Sequence, residues 1–128
     1  MREVDEIVLM DISATPTGDA PDLDTVRDIA VDCFAPLTVG GGVRSIGDVE
    51  GLLRAGADKV SVNTAAVSSP SLISESADRY GSQCVVVSID VKSGHDGPTV
   101  HTHCSREATS WNPVDWAREA ESLGAGEI

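Results

Sequence analysis

Apolar runs of four or five residues recur along the chain, and each stops on a polar residue or a glycine. Ile7-Val8-Leu9-Met10 ends at Asp11, and Pro36-Leu37-Thr38-Val39 ends at Gly40. Lys59-Val60-Ser61-Val62 ends at Asn63, and Val85-Val86-Val87-Ser88-Ile89 ends at Asp90. Such short, nearly continuous, β-branched runs predict strands buried on both faces. Between them the apolar spacing lengthens to that of a helix. Asp22 predicts a cap for a helix carrying Leu23, Val26, Ala30, Cys33 and Phe34. Ser45 and Asp48 form a capping box, with Asp in place of Glu, ahead of Val49, Leu52 and Leu53; Gly56 is the stop. Ser69-Pro70 places a cap and a first-turn proline before Leu72, Ile73 and Ala77, with Gly81 ending the helix. Asn112-Pro113 repeats the device before Val114, Ala117, Ala120 and Leu123, and Gly124 ends it.

Strand and helix thus alternate, which predicts right-handed βα units on a parallel sheet. A weak internal repeat supports this. Ala55-Gly56-Ala57-Asp58-Lys59-Val60 and Leu123-Gly124-Ala125-Gly126-Glu127-Ile128 both read as helix stop, acidic residue, strand start, and Val4-Asp5-Glu6-Ile7 has the tail of the same phrase. The rhythm breaks between 93 and 110. There Gly94-His95-Asp96-Gly97 predicts a turn joining Val91-Lys92 to Thr99-Val100-His101-Thr102-His103, a hairpin carried on a loop.

In parallel α/β architectures chemistry gathers beyond the carboxyl ends of the strands. The residues at those ends are Asp11, Gly40-Gly41-Gly42, Asn63-Thr64 and Asp90. A carboxylate in an apolar mouth can have a raised pKa and move protons, whereas the plainer reading of Asp11 or Asp90 is a loop cap. Gly40 to Gly42 would let backbone amides approach a phosphate, and Asn63 and Thr64 would add donors to the same group. Glu6, Lys59 and Glu127 stand at the opposite, amino ends of three strands, where a ring of charge most simply stabilises the bottom of a barrel. His101-x-His103-Cys104 invites a zinc reading, because alternate strand residues share a face, but no fourth ligand stands at recognisable spacing. An exposed hairpin is the reading taken, with no metal.

The chain has 128 residues, of which 41% are hydrophobic and 23% charged, enough apolar material for a core and too much for a disordered chain. Twenty-one acidic against nine basic side chains give a net charge of −12, which argues against nucleic acid or an anionic membrane as partner. Aspartate outnumbers glutamate 13 to 8 and arginine outnumbers lysine 7 to 2, a texture like that of proteins from a high-salt cytoplasm. No run of about 18 apolar residues is present, so no membrane span is expected. The opening Met1-Arg2-Glu3-Val4-Asp5 does not read as a signal peptide. Three cysteines, an odd number without a C-x-x-C pair, suggest reduced thiols and a cytoplasmic setting.

Four segments carry a family resemblance: 6–14, 38–43, 56–66 and 81–90, with 116–128 continuing it. In order they resemble the cyclase subunit of imidazole glycerol phosphate synthase, the HisF family of histidine biosynthesis. The sister isomerase of that pathway shares the glycine run but is less like Asn63-Thr64-Ala65-Ala66 and Gly81-Ser82-Gln83. The resemblance implies a (β/α)8 barrel, and a cyclase/lyase that takes a phosphoribulosyl-formimino aminoimidazole carboxamide nucleotide and ammonia. Its products would be imidazole glycerol phosphate and aminoimidazole carboxamide ribotide, made without a cofactor. On this reading Asp90 is one of two proton-transferring aspartates. Gly42, Asn63 and Thr64 belong to a phosphate site, and Asp11 supports substrate binding at the mouth. Glu6, Lys59 and Glu127 become members of a gate for ammonia from a glutaminase partner, with Asp58 a partner contact.

A whole barrel needs about 250 residues. Residues 1–128 are therefore expected to be one partial barrel domain, holding strands two to five and a stub of the sixth. Such a half-barrel has uncovered edges and an open inner face, so it is expected to self-associate or stay partly molten, and to be inactive alone. The rival reading is a non-catalytic half-barrel that binds a phosphate-bearing ligand.

Overall fold

The computed structural model describes residues 4–128, without the side chains of Thr15 and Pro16. The first three residues of the opening segment read above for a leader lie outside that description. In chain order the elements are β1 (Ile7–Met10), α1 (Ala14–Thr17), α2 (Leu23–Asp32), β2 (Leu37–Gly40), α3 (Ile46–Ala55) and β3 (Lys59–Val62). Next come α4 (Thr64–Ser68), α5 (Ser71–Tyr80), a 3-10 turn at Ser82–Cys84 and β4 (Val85–Val87). A second, three-stranded sheet follows, β5 (Asp90–Gly94), β6 (Gly97–Thr102) and β7 (Glu107–Ala108), and α6 (Pro113–Ser122) comes last.

The first sheet is parallel, in the order β1-β2-β3-β4. Ile7 faces Leu37, Thr38 faces Lys59 and Val60 faces Val85. Beyond β4 the chain returns alongside: Glu127 bridges Val86 in parallel, and the Val87 N–H donates to the Glu127 carbonyl at 2.9 Å. The repeated phrase at the end of the chain does therefore begin another pairing with the sheet. This is an α/β fold whose parallel strands alternate with helices, as the periodicity predicts.

The helix punctuation is mostly as read. Asp22 accepts from the Asp24 and Thr25 N–H groups, Ser45 and Asp48 close a reciprocal capping box, and Asn112 accepts from Val114 N–H ahead of Pro113. Each supplies an acceptor to a helix start whose amides otherwise lack one. Leu52, Ile73, Val87 and Trp116 are fully buried in one core, which packs on the face of the sheet carrying Leu37, Val39, Val60, Val62, Val85 and Val87. Trp116 lies on α6, with its ring 5.2 Å from that of Trp111.

Four details differ from the expectations. Phe34 is not on the buried stripe of α2; that helix ends at Asp32, Cys33 is extended, and Phe34 is 99% exposed. Pro36 lies just beyond, and a proline pulls the residue before it out of helical geometry. Ser69 does not cap α5. It closes α4, so α5 begins only at Ser71 with Pro70 in the cap position. β4 stops at Val87 rather than Ile89, because Asp90 pairs with His101 and starts the hairpin sheet. β1 is not buried on both faces: Ile7, Val8 and Met10 are exposed, while β2 is buried throughout.

The glycine run after β2 does more than approach a ligand. Gly41 has φ 96°, and a Cβ placed on it would stand 2.1 Å from the Asp11 carbonyl oxygen. A side chain there meets strain and a backbone clash together. Gly41→Ala is expected to destabilise the fold by about 3 kcal/mol, read as a lower urea midpoint at unchanged m-value. An unchanged midpoint would show that the loop is free to move away from Asp11.

Candidate functional site at the carboxyl ends of the strands

A cavity of about 660 Å³ opens at the carboxyl ends of β1 to β4. That volume suits a small-molecule ligand. Asp11, Gly42, Asn63, Thr64 and Asp90 all line it, and so do Arg44, Cys104 and Arg106. Parallel pairing explains the convergence. Each of the four strands delivers its next residues to the same end of the sheet, so residues far apart in sequence meet.

Asp11 is held by its own loop. Its Oδ1 accepts from the Ser13 N–H at 2.9 Å, the Ser13 hydroxyl at 2.7 Å and the Ala14 N–H at 3.1 Å. These bonds, the Ser13 hydroxyl first, hold its carboxyl below the ordinary 3.8. The raised carboxyl allowed by the strand-end argument is thus overturned for Asp11: at neutral pH it is an anion capping a turn. Asp90 has a different setting, where its Oδ2 accepts from the Ser105 hydroxyl at 2.8 Å.

Gly42 is buried with φ 70°, and a Cβ there would meet the Ala14 side chain at 2.6 Å. Asn63 Oδ1 is buried without a hydrogen-bond partner. An orphaned amide oxygen is costly, and an amide turned over offers its NH2 at the same place, so Asn63 can complement either kind of ligand atom. Thr64 Oγ1 accepts from the His103 N–H at 2.9 Å, which leaves its own hydroxyl hydrogen to donate elsewhere.

That last bond belongs to a feature that sequence patterning missed. His103, Cys104 and Ser105 have φ of 52°, 56° and 61°, three successive left-handed residues without a glycine among them. Such backbone is held only where the surroundings over-determine it. Here the His103 N–H bonds Thr64, the Ser105 hydroxyl bonds Asp90, and Lys92 Nζ donates to the Ser105 carbonyl. The turn brings Cys104 and Arg106 to the cavity wall. No sequence signal foretells this, since His, Cys and Ser have no shared preference for left-handed backbone. In the same hairpin His101 Nδ1 meets the Thr99 carbonyl and His103 Nδ1 meets Glu107. Among the described residues no three of His, Cys, Asp and Glu form a group that could hold a metal.

At the other end of the sheet Lys59 Nζ donates to Glu6 Oε1 at 3.1 Å and to Glu127 Oε2 at 2.7 Å, so the three residues read as a ring of charge do meet. Asp58 is exposed, and its Oδ2 accepts from the Leu37 N–H at 2.8 Å, tying the start of β3 to that of β2.

Fold and cavity together define an α/β chain with a cavity at the carboxyl ends of its parallel strands. The chain belongs to the histidine biosynthesis protein family, which matches it over residues 1–128. It is 49% identical over 126 residues to the imidazole glycerol phosphate synthase subunit HisF of Lysinibacillus sphaericus, covering 97% of this chain and 50% of that protein. It is 52% identical to the HisF subunit of Dehalococcoides mccartyi over 124 residues, 97% of this chain and 49% of the relative. The figure is again 52%, over 126 residues, for the HisF subunit of Geobacillus thermodenitrificans, with 97% and 50% covered. The chain spans about half the length of these curated relatives. No helix among the described residues is long and apolar enough to cross a membrane.

The ion triad makes a pH prediction. Glu127, then Glu6, hold the Lys59 ammonium above its ordinary 10.5. A raised lysine pKa contributes stability that is fully present below 10.5 and is lost as pH rises through the higher folded value. The Lys59 13Cε resonance should therefore titrate above 10.5, and Glu127→Gln should lower its midpoint. A midpoint at or below 10.5, insensitive to Glu127→Gln, would dissolve the triad as a bonded unit.

Proposed function

We propose that residues 1–128 form part of a (β/α)8 cyclase barrel of histidine biosynthesis, contributing its second to fifth strands and the opening of the sixth. The ligand is a phosphate-bearing nucleotide that, with ammonia, is closed to imidazole glycerol phosphate and cleaved to release aminoimidazole carboxamide ribotide. Gly42, Asn63 and Thr64 cradle a phosphate, Asp11 supports the mouth, and Asp90 is a proton-transferring carboxylate held in place by the Ser105 hydroxyl. Glu6, Lys59 and Glu127 gate ammonia at the opposite end, where a glutaminase subunit docks and Asp58 meets it. The observation carrying this reading is that one cavity collects all five mouth residues, while the Lys59 triad closes the far end of the same strands. The orphaned Asn63 oxygen supports a ligand in that cavity. Three free thiols fit a reducing cytoplasm.

Ring closure needs an acid and a base acting together. Asp11 is held as an anion, and the family resemblance puts the partner of Asp90 on a strand outside these residues. The chain by itself is expected to bind and not to turn over. Calorimetry of the 128-residue chain with imidazole glycerol phosphate should show binding. Thr64→Val or Asn63→Ala should weaken it about tenfold or more, since each removes a bond to a charged group. An ammonia-dependent assay should show no product. Absence of binding, or binding indifferent to both substitutions, would defeat the phosphate reading; substantial turnover would defeat the claim that the catalytic pair is incomplete.

A further inference from the structure

Eight lysines and arginines lie among the described residues. Arg27, Arg54, Lys59, Arg79 and Arg118 are paired with carboxylates, and Lys92 gives its ammonium to the Ser105 carbonyl. The guanidinium groups of Arg44 and Arg106 have no such partner among the described residues, and both line the 660 Å³ cavity. With 21 acidic side chains against 9 basic ones, carboxylates are available almost everywhere on this surface. Two unneutralised guanidinium groups on one cavity point to an anion that arrives from outside.

Their placement sharpens the point. Arg44 follows the glycine run, two residues after Gly42, and its Nη1 would lie 3.7 Å from a Cβ placed on Gly18, so it reaches back across the loop after β1. Arg106 follows the left-handed turn, which is anchored on Thr64 and Asp90. The two cations thus come from different segments, one following the glycine run and one following the turn that bonds Thr64, and both line the same cavity. Asn63, with its orphaned oxygen, immediately precedes Thr64.

We propose that Arg44 and Arg106 form a guanidinium clamp for the ligand's phosphoryl group, gripping from two sides the group cradled by Gly42, Asn63 and Thr64. This rests on the reading of the cavity as a phosphate site and adds the source of its charge. A planar fork of N–H donors matches phosphate oxygens in a way that a lysine ammonium does not. The clamp also reverses, at the mouth, the repulsion that a chain of net charge −12 exerts on an anion.

The test is a calorimetric titration of the full 128-residue chain with glycerol 3-phosphate, with glycerol as the uncharged control. Arg44→Gln and Arg106→Gln should each weaken binding about fivefold or more, the double variant at least about twentyfold, and Arg106→Lys by an intermediate factor. The dependence of log K on log salt should become shallower in the double variant. Both side chains are exposed and make no ion pair, so thermal melts should match the parent; should either Gln variant melt early, the Lys variants at both positions replace it. Retained affinity in both Gln variants, with loss in Thr64→Val, would overturn the clamp and leave the phosphate reading standing. No binding by the parent would overturn both. Loss in the arginine variants with Thr64→Val unaffected would also overturn the clamp as stated, since the anion would then sit away from the Thr64 cradle.

Discussion

Parallel pairing of β1 to β4 is the constraint on which the rest of the molecule depends. It sends every strand's carboxyl end the same way, so Asp11, Gly42, Asn63 and Asp90 share a mouth although up to 79 residues separate them, Asp11 to Asp90. It equally sends the amino ends together, which is why Glu6, Lys59 and Glu127 can bond at all. A one-residue slip in register would turn every strand side chain to the other face and dissolve both groups at once. The glycine run is the local price of this arrangement, because the backbone after β2 must pass close to the Asp11 carbonyl.

The two ends of the sheet differ in electrostatics. At the amino end the cation is fully engaged, with two carboxylates on Lys59, and the group is closed on itself. At the carboxyl end Asp11 is locked as an anion by its loop, Asp90 is bonded by a hydroxyl, and two guanidinium groups have no carboxylate partner among the described residues. An acidic surface makes the second condition stand out, since Arg27, Arg54, Arg79 and Arg118 each find a carboxylate within a turn of helix. On the proposed reading the mouth is the part of the chain built to receive negative charge, and the far end is built to exclude it.

Much of this was legible in the sequence. The first three strand runs, the Asp22, Ser45 and Asn112 caps and the strand start at Glu127 follow from local hydrogen-bonding needs and periodicity, so they appear within a residue of where they are read, while the fourth run is cut short by the hairpin pairing of Asp90. The mouth residues were legible for the same reason: strand ends are local, and topology then brings them together. Phe34 was misread because helical spacing alone does not register Pro36, which ends the helix early. β1 was read as buried because apolar composition says which residues can be covered, and not which ones are. Arg44, Ser105 and Arg106 were illegible, since an unpaired cation is defined by distances to the whole surface, and the left-handed turn at His103 to Ser105 is held by Thr64 and Asp90 rather than by its own residues.

The central claim is that ligand chemistry belongs to the carboxyl end of the sheet. Backbone amide shifts recorded while imidazole glycerol phosphate is added to the 15N-labelled chain test it most directly. The account predicts perturbations concentrated at Gly42, Asn63, Thr64 and the turn at His103 to Arg106, with Glu6, Lys59 and Glu127 unmoved. Perturbations centred on the Lys59 triad, or spread evenly over the surface, would contradict it.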